Sequence, residues 1–169
     1  MDFYLINYNE VITRHKIHNL YKEIRSMHTV KDILEKKGTE VWSVSPETTV
    51  FDTLKLMAEK NIGAVLVMAD QKIEGILSER DYARKVALEG KSSRELPVKE
   101  IMSSRVLFIT IDKNVDECMA LMNEKKIRHL PVYNGEILKG IISIGDVVNA
   151  MLDQKEFTIK QLEQYISHR

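Results

Sequence analysis

The sequence predicts an α/β fold made of two β-α-β-β-α repeats packed as an intramolecular pseudo-two-fold pair. Three observations carry that prediction. Residues 46–81 align with 111–146 at a constant offset of sixty-five and without insertion, so that Val50 meets Val115, Met57 meets Met122, Ile62 meets Ile127 and Gly75 meets Gly140. Within each copy a segment with apolar residues at helical spacing is followed by two short strand-like runs. A single copy covers only one face of its sheet, whereas two copies cover each other.

The elements follow in order. "EVWSVSP" (40–46) and "RVLFITI" (105–111) read as short strands, the first ended by Pro46. Thr49 and Asn114 are placed to cap helices, with Asp52 and Glu117 three residues on to return a bond to the cap amide. The helices run to Lys60 and Lys125 and bury one face through Val50, Leu54, Met57 and Val115, Met119, Met122. Two strands come next in each copy, "AVLVMA" with "KIEGILS" and "HLPVYN" with "ILKGIIS". Asp70, Gln71 and Lys72 turn the first hairpin, and Asn134-Gly135 supplies residues tolerant of positive φ in the second. A last helix is expected at about 79–89 and 144–153. An earlier match, "VKDIL" at 30–34 with "VKEIM" at 98–102, needs an offset of sixty-eight. The domains expected are residues 29–90 and 97–154, with an extension at 1–28 and a tail at 155–169.

Composition narrows the function. The 25 basic and 25 acidic residues balance, so no global field recruits nucleic acid or an anionic membrane. The longest apolar runs, such as 62–69, are too short to span a bilayer. The opening segment lacks a basic leader and a continuous apolar stretch, and with Cys118 as the one cysteine the expectation is the cytoplasm. Residues 1–28 read as an added amphipathic segment or as an early start, since Met27 precedes the regular pattern; Phe3, Tyr4, Leu5, Ile6, Ile12 and Leu20 give it something to bury, against a second copy for example. No catalytic or metal-binding set is expected. The five histidines, at 15, 18, 28, 129 and 168, are scattered, and neither a phosphate loop nor a glycine-rich dinucleotide fingerprint is present. Met57, Met68, Met119 and Met122 have core spacing.

The segments "EKNIGAVLVMADQKIEGILSERD" and "EKKIRHLPVYNGEILKGIISIGD" resemble the CBS domain, named after cystathionine β-synthase and found in tandem as the Bateman module. Its hallmark, Gly-hydrophobic-hydrophobic-Ser/Thr-x-x-Asp, is matched by Gly75, Ser78, Asp81 and by Gly140, Ser143, Asp146, and the resemblance extends over about residues 29–154. It implies a regulatory module, similar to stand-alone bacterial members, that binds AMP, ADP or ATP, in some members S-adenosylmethionine or NAD(H). It also implies a homodimer in the form of a flat disk, and an unidentified regulated protein as partner.

The residues have their own bearing on that ligand. A carboxylate in the first turn of a helix accepts ribose hydroxyls and is favoured by the helix dipole, while a serine three residues earlier offers its hydroxyl and nearby amides to phosphate. Ser78, Asp81, Ser143 and Asp146 have that spacing; ordinary helix capping has it too. Arg80 or Arg84 is assigned to phosphate, against surface pairing with Glu79 or Glu89. The second copy has Ile144 and Gly145 before its aspartate and no basic residue until Lys155, so the two sites are unequal. His129 is a candidate for phosphate or base, or else a packed ring. The base pocket is expected from Val41, Ile62, Gly63 and Ala64 in one copy and from Val106, Ile127, His129 and Leu130 in the other. Pro131 suits an edge position, where a missing amide is harmless, and the resemblance places its neighbourhood along the base pocket. Two rival functions remain beside the sensor: a scaffold whose sites have lapsed, and an enzyme for which no nucleophile or base is in view.

Overall fold

The computed structural model describes residues 29–167, so the expectations for residues 1–28 and His168 lie outside the described residues. The first repeat is led by α1 (Val30–Lys37) and contains β1 (Ser43–Val44), α2 (Val50–Lys60), β2 (Ala64–Ala69), β3 (Lys72–Ser78) and α3 (Glu79–Tyr82). α3 runs into a π-helical turn at Ala83–Ala87. The second repeat is led by a 3-10 turn at Val98–Glu100 and contains β4 (Ile109–Thr110), α4 (Val115–Lys125), β5 (His129–Asn134), β6 (Ile137–Ser143) and α5 (Ile144–Ser167). Each repeat forms one three-stranded sheet, ordered β1-β2-β3 and β4-β5-β6. The result is an α/β fold of two β-α-β-β-α repeats.

The described residues form two compact units that cut across these repeats: Thr39–Ile109 with His129–Ile141, and residues 29–38, 110–128 and 142–167, which bring α1 together with α4 and α5. Backbone hydrogen bonds explain the division. Val30 N–H donates to Lys113 C=O at 2.8 Å and Lys31 N–H to Ile111 C=O at 3.1 Å. Val98 N–H donates to Thr48 C=O at 2.9 Å and Lys99 N–H to Pro46 C=O at 3.2 Å. The acceptors are equivalent positions of the repeat, so each leading segment docks on the other copy's turn into its helix. The same "VK-acid-I" wording is a helix in one place and a 3-10 turn in the other. Thr29 explains part of the difference: it makes a full capping box with Asp32, whereas Val98 follows Pro97, which makes no side-chain cap bond.

In the sheet-bearing unit, Val50, Met57, Val65, Val67, Leu77, Val86, Val98 and Ile101 form one buried cluster. β2 is central, and Leu66 is fully buried on its other face. Gly75 is needed where it stands. Ile76 and Ser103 exchange backbone bonds at 3.1 and 2.9 Å, and a Cβ on Gly75 would come 2.5 Å from Met102 Sδ and 2.8 Å from its Cγ.

Several expectations are corrected. β1 and β4 have only two residues each, because the chain turns at once: Thr48 N–H bonds Ser45 C=O at 3.1 Å and Lys113 N–H bonds Thr110 C=O at 3.2 Å. Pro131 lies in the central strand, not at an edge. Its counterpart Leu66 donates to Trp42 C=O at 3.2 Å; proline has no such donor, and β4 begins one repeat position later than β1. The first hairpin turns on Asp70 and Gln71 (φ 48° and 63°), with Lys72 already in β3. In the second, Gly135 alone takes positive φ, at 59°, and Asn134 ends β5. The last helix of the first copy loses α-helical pairing after Tyr82, Leu88 N–H bonding Ala83 C=O at 3.2 Å, and Gly90 turns the chain at φ 65°. α5 instead continues to Ser167, since 154–167 contains neither glycine nor proline.

Candidate functional site

Each repeat ends its second hairpin strand in a serine that caps the following helix. Ser78 Oγ donates to Asp81 Oδ2 at 2.6 Å and Ser78 N–H to the same oxygen at 3.0 Å, while Asp81 N–H returns a bond to Ser78 Oγ at 3.3 Å. Ser143 and Asp146 repeat the arrangement at 2.7, 2.6 and 3.2 Å. The geometry is a capping box, with the acid at the third helical position where the helix dipole favours negative charge.

Both carboxylates also meet a lysine, from different places. Lys85 Nζ lies 3.3 Å from Asp81 Oδ1 and donates to Ile101 C=O at 2.7 Å. The repeat position of Lys85 is Ala150 in the second copy, and there the cation comes from the end of α1: Lys37 Nζ donates to Asp146 Oδ2 at 2.5 Å. The side chains are similarly enclosed, 40% and 18% exposed for Lys85 and Asp81, 39% and 22% for Lys37 and Asp146. Burial pushes the Asp146 carboxyl up, but the hydrogen bonds from Lys37 and Ser143, with the Lys37 charge, outweigh it and hold the group below the ordinary aspartate range. Sequence reasoning missed Lys37. The signal lay in the gap itself, an alanine where the first copy has a lysine; the separation of 109 residues concealed the replacement.

Asp146, Lys37, Lys36 and Asn149 line an open pocket of about 700 Å³ whose walls also carry Asp32, Asp153 and Glu156. Lys36 crosses it to bond Asp153 at 2.7 Å.

In the sheet-bearing unit Gly63, His129 and Glu79 converge. Glu79 N–H bonds Gly63 C=O at 3.2 Å, and a Cβ on Gly63 would lie 3.5 Å from His129 Nε2 and 3.6 Å from Glu79 Oε2. Val106 and Pro131 share a smaller pocket of about 340 Å³ with Phe108, Tyr133 and Lys72, the two rings meeting edge to face at 5.3 Å. Other candidates are less available. Ala64 and Leu130 are 6% and 0% exposed, so their side chains are core. Ile62 packs against the buried cluster, Val41, Ile127 and Arg80 are half-buried, and Arg84 is exposed. Cys118 is fully buried, which pushes its thiol up to about 12 with the Glu117 charge adding to the effect. Among the described residues no cluster of three or more His, Cys, Asp or Glu side chains is arranged to hold a metal ion, and no helix is long and apolar enough to cross a membrane.

Twin hairpins that end in capped acids, in two copies of one unit, define a tandem-repeat module. The family described as "CBS domain" matches residues 29–88 and 98–153, and the chain belongs to that family of non-catalytic regulatory domains. It is 34% identical over 148 residues to the CBS domain-containing protein CBSX3, mitochondrial, of Arabidopsis thaliana, covering 82% of this chain and 71% of that one. It resembles a solved protein with CBS domains from Burkholderia ambifaria MC40-6 at 47% identity and TM-score 0.71, covering 74% of this chain and 94% of the other. A more distant likeness is the structure of CBSX2 in complex with AMP, at 27% identity and TM-score 0.59 over 76% of this chain and 98% of that one.

Proposed function

We propose that the chain is an adenine-nucleotide sensor, taking AMP, ATP or NAD(H), in the cytoplasm. Binding alters its conformation or its dimer packing and thereby regulates a partner protein. One observation carries the reading: both repeats end in a partly exposed aspartate at a helix start beside a lysine, a carboxylate for ribose with a cation for phosphate in reach. The AMP complex of CBSX2 supports the ligand class. Asp81 and Asp146 are the ribose acceptors, Ser78 and Ser143 the residues that hold them, and Gly63 with His129 a place where a planar base has room. Mass spectrometry of whatever the denatured protein releases, followed by titration with AMP, ATP and NADH, tests the reading. A released adenylate that rebinds supports it; a protein that ignores all three overturns it.

A scaffold with lapsed sites is the second reading. The observation favouring it is that serine and lysine donors already satisfy both carboxylates, which is all that helix capping requires. Asp81→Asn and Asp146→Asn separate the two, since only a sensor loses affinity with little loss of fold.

A further inference from the structure

Helix α5 carries two apolar stripes where packing on its own repeat needs one. The inner stripe, with Val147, Met151, Phe157 and Leu162, is buried or half-buried. The outer stripe is Val148, Leu152, Ile159 and Ile166, which are 41%, 53%, 54% and 72% exposed. Its members are four, seven and seven residues apart and so fall on one narrow face of the helix. Single exposed apolar residues are ordinary, but a seven-residue repeat of branched side chains is the pattern of a helix seam. From Leu152 to Ile166 the seam is about 21 Å long.

The chain before Thr29 arrives beside this face. Thr29 caps α1 and lines the same open pocket as Leu152 and Glu156 of α5, and Lys36 of α1 bonds Asp153 at 2.7 Å. Residues 14–28, "RHKIHNLYKEIRSMH", have Ile17, Leu20, Ile24 and Met27 three, four and three apart. As a helix they span about 21 Å, the length of the seam. Their charge suits it as well. Lys36 and Lys37 are matched by Asp153 and Asp146, and the pocket mouth also carries Asp32 and Glu156. By helical spacing Glu156 and Glu163 border the seam on the pocket side and Lys155 on the other. The segment brings Arg14, Lys16, Lys22 and Arg25 against Glu23. A second copy must be recruited from solution, whereas attachment at Thr29 keeps the segment at a local concentration on the order of millimolar.

We infer that the outer face of α5 is the docking site of the chain's own residues 14–28. The segment is tethered at the Leu152 end of the seam, so it lies antiparallel to α5, with Met27 near Leu152 and Ile17 toward Ile166. Docked there it stands at the mouth of the pocket, since Leu152 and Glu156 belong to both seam and pocket wall. Nothing in this inference depends on a nucleotide.

The test is amide hydrogen exchange of the full chain at two concentrations a hundredfold apart, with the mass followed by sedimentation. Residues 14–28 should exchange about tenfold or more slowly than an unstructured chain of the same sequence, equally at both concentrations. Leu152→Asp with Ile159→Asp, both at exposed positions, should return residues 14–28 to the unstructured rate while β2 stays protected. Leu20→Asp with Ile24→Asp should reciprocally speed exchange in residues 157–166. Residues 14–28 exchanging at the unstructured rate in the unaltered chain overturn the inference, as does protection there that survives Leu152→Asp with Ile159→Asp. Protection that rises with concentration together with a doubled mass assigns the face to a second copy, and also overturns it. Should the α5 variant lose protection in β2, the Leu20→Asp, Ile24→Asp chain decides: unchanged exchange in residues 157–166 overturns the inference.

Discussion

Asp146→Asn removes one charge while keeping the shape and an acceptor oxygen, so its cost is calculable from the contacts. Hydrogen bonds to a charged acceptor are worth more than neutral ones by about 1 kcal/mol, and a partly exposed ion pair such as Lys37–Asp146 adds about 0.2–1 kcal/mol. The variant is therefore expected to be less stable by about 1–2 kcal/mol at pH 7, a fall in urea midpoint of roughly 0.5–1 M. The folded protein holds this carboxyl below its ordinary value. Its contribution is then fully present above about pH 4, the unfolded value, and is lost as pH falls through the lower folded value. Urea denaturation of both proteins between pH 7 and pH 3 should show the gap closing in acid, where the wild-type group also becomes neutral. A gap that stays constant down to pH 3, or an asparagine variant more stable at pH 7, refutes the reasoning.

Gly75→Ala pushes a methyl into Met102 and should cost about 1–3 kcal/mol by thermal or urea unfolding, with recovery when Met102 is shortened as well. Gly63→Ala meets ordinary contact distances, so the fold should change by less than about 0.5 kcal/mol, while nucleotide affinity at the first repeat drops if a base uses that space. Asn114→Ala removes a full capping box and should lower stability by about 1 kcal/mol in urea denaturation. The Cys118 thiol, buried and pushed up to about 12, should resist thiol reagents at pH 8 until the protein unfolds; rapid labelling of the native protein would contradict its placement.

What could be read from the sequence was local. The ends of α2 and α4, the four hairpin strands and the caps at Thr49 and Asn114 followed from spacing and capping chemistry, because their partners lie a few residues away. The expected return bond to the cap amide forms at Asn114, but at Thr49 it is replaced by one from the Thr49 hydroxyl to Asp52 Oδ2 at 2.7 Å. The errors came from distant partners or from single backbone groups. Pro131 resembled an edge residue because the sequence does not show that its sheet tolerates a missing donor by beginning β4 later. The crossed docking of Val30 on Lys113 and of Val98 on Thr48 is invisible to an alignment of the repeats, which pairs each leading segment with the copy that follows it. The same crossing hid Lys37, whose role depends on α1 reaching the second copy.

The central claim is that Asp81 and Asp146 hold the ribose of an adenine nucleotide. Calorimetry of AMP against the unaltered chain and against the Asp81→Asn, Asp146→Asn double variant tests it most directly. The account predicts binding by the first and its loss, by about tenfold or more, in a double variant that still unfolds cooperatively. Equal affinity in both proteins would contradict it.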